Sequence, residues 1–168
     1  MEYLKRCLTV DPGWNTGIAY WTGDAEPIIH LIKEPTKQKK IKIEPIRLNY
    51  MFTKFEGLLK VYRTELDHVY IEGVQLWSMN AKSLTAGQRG DLFALAYLVG
   101  GYISICHRHG LNVRLVYPVT DNKKERTGWK GQLDGKKLAL RIQRVNGKTY
   151  PEHIREAVGI GLSIAGIL

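Results

Sequence analysis

The stretch from Leu8 to Trp21, LTVDPGWNTGIAYW, limits the fold more than any other part of the chain. Leu8, Thr9 and Val10 close a short apolar, β-branched run that reads as a buried strand. Asp11 stands at its end, and Pro12-Gly13 turns the chain sharply. Gly17 to Trp21 reads as a strand running back. A carboxylate is thereby held at the exit of a central strand, beside a turn where backbone can approach a ligand closely. The same letters also describe an ordinary hairpin with a turn aspartate, so the remaining elements decide between the two.

Ile28, Ile29, Leu31 and Ile32, within Pro27 to Lys33, predict a third strand that completes a meander. Glu34 to Glu44 is polar, carries Lys37, Lys39, Lys40 and Lys42, and reads as a loop. Pro45 then opens a helix, where its missing N–H costs nothing. Leu48, Met51, Phe52, Phe55, Leu58, Leu59 and Tyr62 follow at spacings of three and four, giving one apolar face and an end near Leu66-Asp67. His68 to Glu72 is a short β-rich run that ends in a second carboxylate, Glu72, followed at once by Gly73. A strand–helix–strand connection of this length suits a right-handed crossover between parallel neighbours. Asp11 and Glu72 would then share the sheet edge where open α/β sheets bind ligands.

Val74 to Lys82 is a polar loop that includes Leu76, Trp77 and Met79. Ser83 to His109 predicts a long helix with Leu92, Phe93, Leu95, Ala96, Val99, Tyr102, Ile103 and Cys106 on its apolar face. Gly87, Gly90, Gly100 and Gly101 each weaken it by about 1 kcal/mol against alanine, with close approach of a neighbour as the expected compensation. Val113 to Tyr117 predicts a fifth strand. Thr120 to Lys137 is Gly-rich and basic, with Lys123, Lys124, Arg126, Lys130, Lys136 and Lys137 around Trp129, and Lys136 to Val145 continues as a short helix. Such a charge run is either a solvated face or, with glycines and a tryptophan interleaved, a loop that follows a phosphate backbone. The formal net charge of +9 points to a polyanionic partner.

Thr149-x-x-Glu152 predicts a capping box with Pro151 in the first turn of a last helix running through Ile164. His153, Glu156, Ala157, Ile160 and Ile164 fall on one stripe of it, so a histidine and a glutamate share a face with core residues. The 168 residues, 44% hydrophobic and 24% charged, suit a single domain with a proper core. No run reaches the ~18 apolar residues of a membrane span, and the N-terminus lacks a signal-peptide pattern. Cys7 and Cys106 have no metal-ligand spacing and are expected buried and reduced. Together these predict a cytoplasmic protein.

The ordered set of motifs resembles the RuvC-type Holliday junction resolvases of the RNase H-like nuclease superfamily. The residues that carry it are Val10-Asp11-Pro12-Gly13 with Gly17, Ile71-Glu72, Gly87-Gln88-Arg89-Gly90, Thr127-Gly128 and His153-x-x-Glu156-Ala157. The resemblance implies an α/β, RNase H-like fold: a five-stranded mixed sheet, made of a three-strand antiparallel meander plus two parallel strands, flanked by helices. It implies a Mg²⁺-dependent, homodimeric endonuclease acting on branched DNA, four-way junctions above all. The catalytic, metal-binding set would map to Asp11, Glu72, His153 and Glu156. Glu156 stands where the family usually carries Asp, and Gln75 stands where it often has an aromatic wedge, with Leu76 and Trp77 just beyond. Lys136 or Lys137 matches the family's helix lysine.

The chemistry of those residues stands beside the resemblance. Phosphodiester hydrolysis needs charge stabilised on both attacking and leaving oxygens, which two divalent ions about 3.5–4 Å apart provide. Mg²⁺ prefers oxygen ligands, and Mn²⁺ is expected to substitute. Asp11, Glu72 and Glu156 supply carboxylates, while His153 is either a ligand or the base that orients water. The expected DNA contacts are Gln75, Trp77, Gln88, Arg89, Lys123, Lys124, Arg126, Trp129, Lys130, Lys136 and Lys137. Trp77 either stacks on an unpaired base or packs on its own core. A terminase-type or rRNA-processing nuclease, or a module that binds branched DNA without cutting, would use the same layout.

Overall fold

Along the first strand, Leu8 and Val10 are buried toward one side of the sheet, Cys7 and Thr9 toward the other. That two-residue alternation, apolar on both sides, marks a strand covered on both faces. The computed structural model describes residues 5–23, 26–34, 45–74, 91–118, 128–130 and 135–168. Its strands are β1 (Lys5–Asp11), β2 (Asn15–Thr22), β3 (Ile28–Lys33), β4 (His68–Glu72) and β5 (Asn112–Val116), in the spatial order β3-β2-β1-β4-β5. β1, β2 and β3 pair antiparallel; β1 with β4 and β4 with β5 pair parallel. This is the mixed sheet expected from the sequence.

Helices α1 (Pro45–Tyr62) and α2 (Asp91–Arg108) cover the Leu8–Val10 face. Met51, Phe55 and Leu59 of α1 meet Leu98, Tyr102 and Ile105 of α2 there. Phe55 stacks on Tyr102 with centroids 4.2 Å apart, worth about 0.5–1.5 kcal/mol beyond the area buried. A Cβ on Gly101 would lie 2.2 Å from the Phe52 ring, so this glycine lets α1 and α2 close up, whereas Gly100 faces open space. Helices α3 (Gly135–Asn146) and α4 (Glu152–Ile164) cover the opposite face, with Leu138, Ile142, Ile154, Val158 and Leu162 against Trp21 and Tyr70. No described helix is long and apolar enough to cross a membrane.

Several sequence expectations shift. The first helix ends at Tyr62, and a turn rather than helix leads toward Leu66. The long helix is described only from Asp91, so Ser83 to Gly90 lies outside the described residues. Phe93 and Tyr97, one turn apart on α2, are 61% and 59% exposed, so Phe93 leaves the buried face assigned to it. The capping box does not form. Pro151 is itself the N-cap of α4, with φ −54° and ψ 155°, and no side chain caps the helix. The extended ψ puts Thr149 two residues outside the helix, too far back to serve as the cap. Cys7 and Cys106 are buried and not joined in a disulfide, and burial pushes both thiols up to about 12, which makes them unreactive.

Candidate active site

Strand alternation decides where the acids go. Asp11 continues the Cys7–Thr9 series and Glu72 continues from Tyr70, so both belong to the face covered by α4. Because β1 and β4 are parallel neighbours, with Val10 beside Ile71, their carboxylates leave the sheet at one edge. The turn after Asp11 is pinned from below. Thr16 Oγ1 donates to Gly13 O at 2.6 Å and lies 2.9 Å from the buried Tyr102 hydroxyl.

Helix α4 is brought onto that edge by contacts from β1 and β2. Thr9 Oγ1, fully buried, donates to Ala157 O at 2.7 Å and accepts from Trp21 Nε1 at 2.9 Å. A Cβ on Gly17 would fall 2.0 Å from the His153 carbonyl oxygen, so the helix start rests directly on β2. His153 Nδ1 then lies 2.8 Å from Asp11 Oδ2. The Asp11 hydrogen bond raises the His153 imidazole above its usual range. Burial raises the Asp11 carboxyl, and the His153 hydrogen bond partly opposes that.

Glu72 is held from the other side. Trp129 Nε1 donates to Glu72 Oε2 at 3.0 Å. Burial, then the charges of Asp11 and Glu156, push the Glu72 carboxyl up to about 8, against the pull of Lys130 and the indole N–H. Glu156 Oε2 is buried, and Lys130 Nζ sits 2.5 Å from it as an ion pair outside hydrogen-bond geometry. Arg155 Nη2 is 4.0 Å from the other Glu156 oxygen.

Asp11, Glu72, His153 and Glu156 therefore come together as a cluster. Lys130 joins them as an ion-pair partner. Trp129 is corrected: at 7% exposure it is a core residue that orients Glu72, not a surface platform for bases. Its ring is seated where a Cβ on Gly159 would lie 2.7 Å from Cζ3, and Leu138 lines the same seat. Lys136 and Lys137 are exposed in the first turn of α3. Gln75, Trp77, Gln88, Arg89, Lys123, Lys124 and Arg126 lie outside the described residues. Sequence reasoning missed Thr9 as the tie between β1 and α4; its only signal was a hydroxyl in an otherwise apolar strand.

Among the described residues, no three His, Cys, Asp or Glu side chains stand arranged as a metal cage. Each acid faces a protein partner instead: Asp11 is hydrogen-bonded with His153, Glu72 accepts from Trp129, and Glu156 is ion-paired with Lys130. The donor chemistry nonetheless suits a hard divalent cation. Three carboxylates share one buried edge, the Glu156 charge raises the proton affinity of both Asp11 and Glu72, and Glu156 Oε2 has no hydrogen bond.

No protein-family model matches the sequence, and no curated protein matches it. Solved structures do. Thermus thermophilus RuvC in complex with a Holliday junction substrate aligns with a TM-score of 0.62 at 17% identity, over 94% of this chain and 90% of that one. Another Thermus thermophilus RuvC structure aligns with a TM-score of 0.57 at 16% identity, over 94% and 91%. The fold is that of RuvC. The RuvC likeness covers the sheet, with its order β3-β2-β1-β4-β5, and the helices on both faces, and it agrees with the RNase H-like architecture that the motifs imply.

Proposed function

We propose that the chain is a divalent-metal-dependent endonuclease that hydrolyses phosphodiesters in branched DNA, four-way junctions foremost. The observation that carries this reading is the meeting of Asp11, Glu72, His153 and Glu156 at one edge of a RuvC-fold sheet. Asp11 and Glu72 would hold the metal, Mg²⁺ with Mn²⁺ substituting. When bound, such an ion neutralises charge on the phosphate and activates water. His153, with Nδ1 engaged by Asp11, has Nε2 left to exchange a proton with the attacking water or the leaving oxygen. The excess of basic residues, with Lys136 and Lys137 exposed on α3, supports contact with a phosphate backbone.

A four-way junction is cut symmetrically when two sites act together, which a two-fold dimer supplies most simply. The exposed Phe93 and Tyr97 on α2 support that helix as the dimer face. The test is cleavage of matched four-way, three-way, flap and linear DNA with Mg²⁺, Mn²⁺ or Ca²⁺, for the native chain and for Asp11→Asn. The expected result is metal-dependent nicking that favours the four-way junction. Asp11→Asn should lose roughly a thousandfold or more in rate while keeping junction affinity. A native chain that binds junctions but nicks none of them with any metal is a binding module, and an Asp11→Asn variant that cuts at the native rate puts the site elsewhere.

A further inference from the structure

Tyr102 occupies a place in the core that asks only for a ring. It lies in α2, fully buried, stacked on Phe55 at 4.2 Å and edge-on to Phe52 at 6.0 Å. A phenylalanine would fill the same space, and a buried hydroxyl costs free energy unless it is bonded. The Tyr102 hydroxyl lies 2.9 Å from Thr16 Oγ1, near the start of β2. Thr16 is fully buried as well, so bulk water reaches neither hydroxyl.

The proton count at Thr16 fixes the direction of that bond. A threonine hydroxyl has one proton and two lone pairs. The proton goes to Gly13 O at 2.6 Å, and Gly13 N donates to the same oxygen at 3.3 Å. The remaining lone pair accepts from Tyr102, so the tyrosine is the donor. One side chain thus holds both backbone polar groups of Gly13, and Tyr102 holds that side chain. Gly13 follows Asp11 by two residues, and a Cβ built on it would stand 3.8 Å from His153 Cε1. The turn is therefore joined to Asp11 through the chain and lies beside the imidazole that contacts Asp11 at 2.8 Å.

We infer that Tyr102 is a positioning residue for the proposed catalytic edge. Its hydroxyl, acting through Thr16, fixes the Gly13 turn and with it the placement of Asp11 against His153. Helix α2 thereby orders the site from the opposite face of the sheet. The effect on cutting rests on the endonuclease reading; the hold on the turn does not. A displacement of about 1 Å at reacting groups costs up to about a hundredfold in rate.

The experiment uses the full chain with Tyr102→Phe, Thr16→Val and the double variant. It measures single-turnover cleavage of a four-way junction, junction Kd, amide hydrogen exchange at Gly13 and thermal melting. Tyr102→Phe should fold and keep the native Kd. It should cut about 10- to 100-fold more slowly, with Gly13 exchange faster and exchange in β1 and β4 unchanged. The double variant should cut no more slowly than Thr16→Val alone, because both changes remove one link. A folded Tyr102→Phe with native cutting or native Gly13 exchange overturns the inference. Losses that multiply in the double variant also overturn it, since the hydroxyl then acts elsewhere. A Tyr102→Phe that does not fold overturns it too, by making the hydroxyl a requirement of the core. If the native chain nicks no junction, the endonuclease reading falls, and Gly13 exchange alone decides whether the hydroxyl holds the turn.

Discussion

On one side of the turn after β1, Glu34 and Arg47 form an ion pair 2.5 Å apart, each side chain 7% exposed, with the guanidinium 4.2 Å over the Trp14 ring. On the other side, Asp11, Glu72 and Glu156 gather around Lys130 and His153. The first place pairs one acid with one base and holds the entry of α1 to the segment after β3. Glu34 N also donates to Trp14 O, which joins it to the turn itself. In the second place Lys130 and Arg155 face Glu156 and His153 faces Asp11, while Glu72 accepts its hydrogen bond from the neutral Trp129 indole. A balanced buried pair has its charge settled within the fold. An unbalanced one leaves charge for a cation from outside, at a cost to the metal-free protein.

The largest expected effects separate the two places. Glu72→Gln should lower cleavage roughly a thousandfold or more, since it removes a charge the cation needs. At a pH of about 9 the same change should raise metal-free stability by about 1–2 kcal/mol, because a buried charge is gone. Chemical denaturation beside single-turnover cleavage reads both, and a loss of stability there would mean that the Glu72 charge is answered as fully as that of Glu34.

Arg47→Met should do the reverse. It leaves Glu34 buried and uncompensated, costing about 3–5 kcal/mol, while folded protein still cuts. The double variant Arg47→Met, Glu34→Leu should recover most of that loss. If the double variant melts as low as the single one, the pair does more than balance charge.

A smaller effect appears in pH. Glu72 titrates at about 8 in the folded chain against 4.5 as an ordinary carboxyl, so between those values the folded chain keeps a proton that the unfolded chain releases. Stability from this group therefore falls as pH rises through that window. Asp11 and His153 are raised too and push in the same direction: the His153 contribution is present below 6.5 and lost as pH passes its raised value. The melting temperature of metal-free protein should thus fall from pH 5 to about 9, by a few kcal/mol of stability at most. Saturating Mg²⁺ should flatten the curve, because the cation binds the ionised acids. A slope unchanged in Glu72→Gln would remove Glu72 as its source.

The smallest effect belongs to Trp129→Phe, which keeps a ring in the core but removes the donor to Glu72. Stability should drop by about 1 kcal/mol. The Glu72 carboxyl should rise further, since the indole N–H lowers it now, so the pH midpoint of Mn²⁺ binding should move upward. An unmoved midpoint would make Trp129 a packing residue alone.

Asp11 and Glu72 were legible because a β-branched run followed by Pro-Gly or Gly marks a strand end whatever surrounds it. His153 and Glu156 were legible because helical spacing ties them to Ala157 and Ile160, which have to be buried. The extent of β4 matched the sequence reading residue for residue, since His68 to Glu72 is bounded by a helix exit and a glycine. The polar partners were harder to see. Arg47 looks like any helix-surface cation until Glu34 and Trp14 are placed beside it. Trp129 and Lys130 sit in a basic, Gly-rich stretch whose composition equally describes a loop on DNA.

What the sequence determined by itself was periodic: which segments are strands, which are helices, and which side of each is apolar, because alternation and helical spacing are local properties of the chain. Only the tertiary structure decided which charges meet. Trp129 turns inward because Gly159, far along the chain, leaves room for its ring. Lys130 reaches Glu156 because the chain leaving β5 holds its backbone beside the end of β4. The start of α4 lands on Asp11 because Thr9 bonds Ala157 and Gly17 has no side chain to hold it off. Burial and charge pairing depend on contacts between distant segments, and no local pattern encodes them.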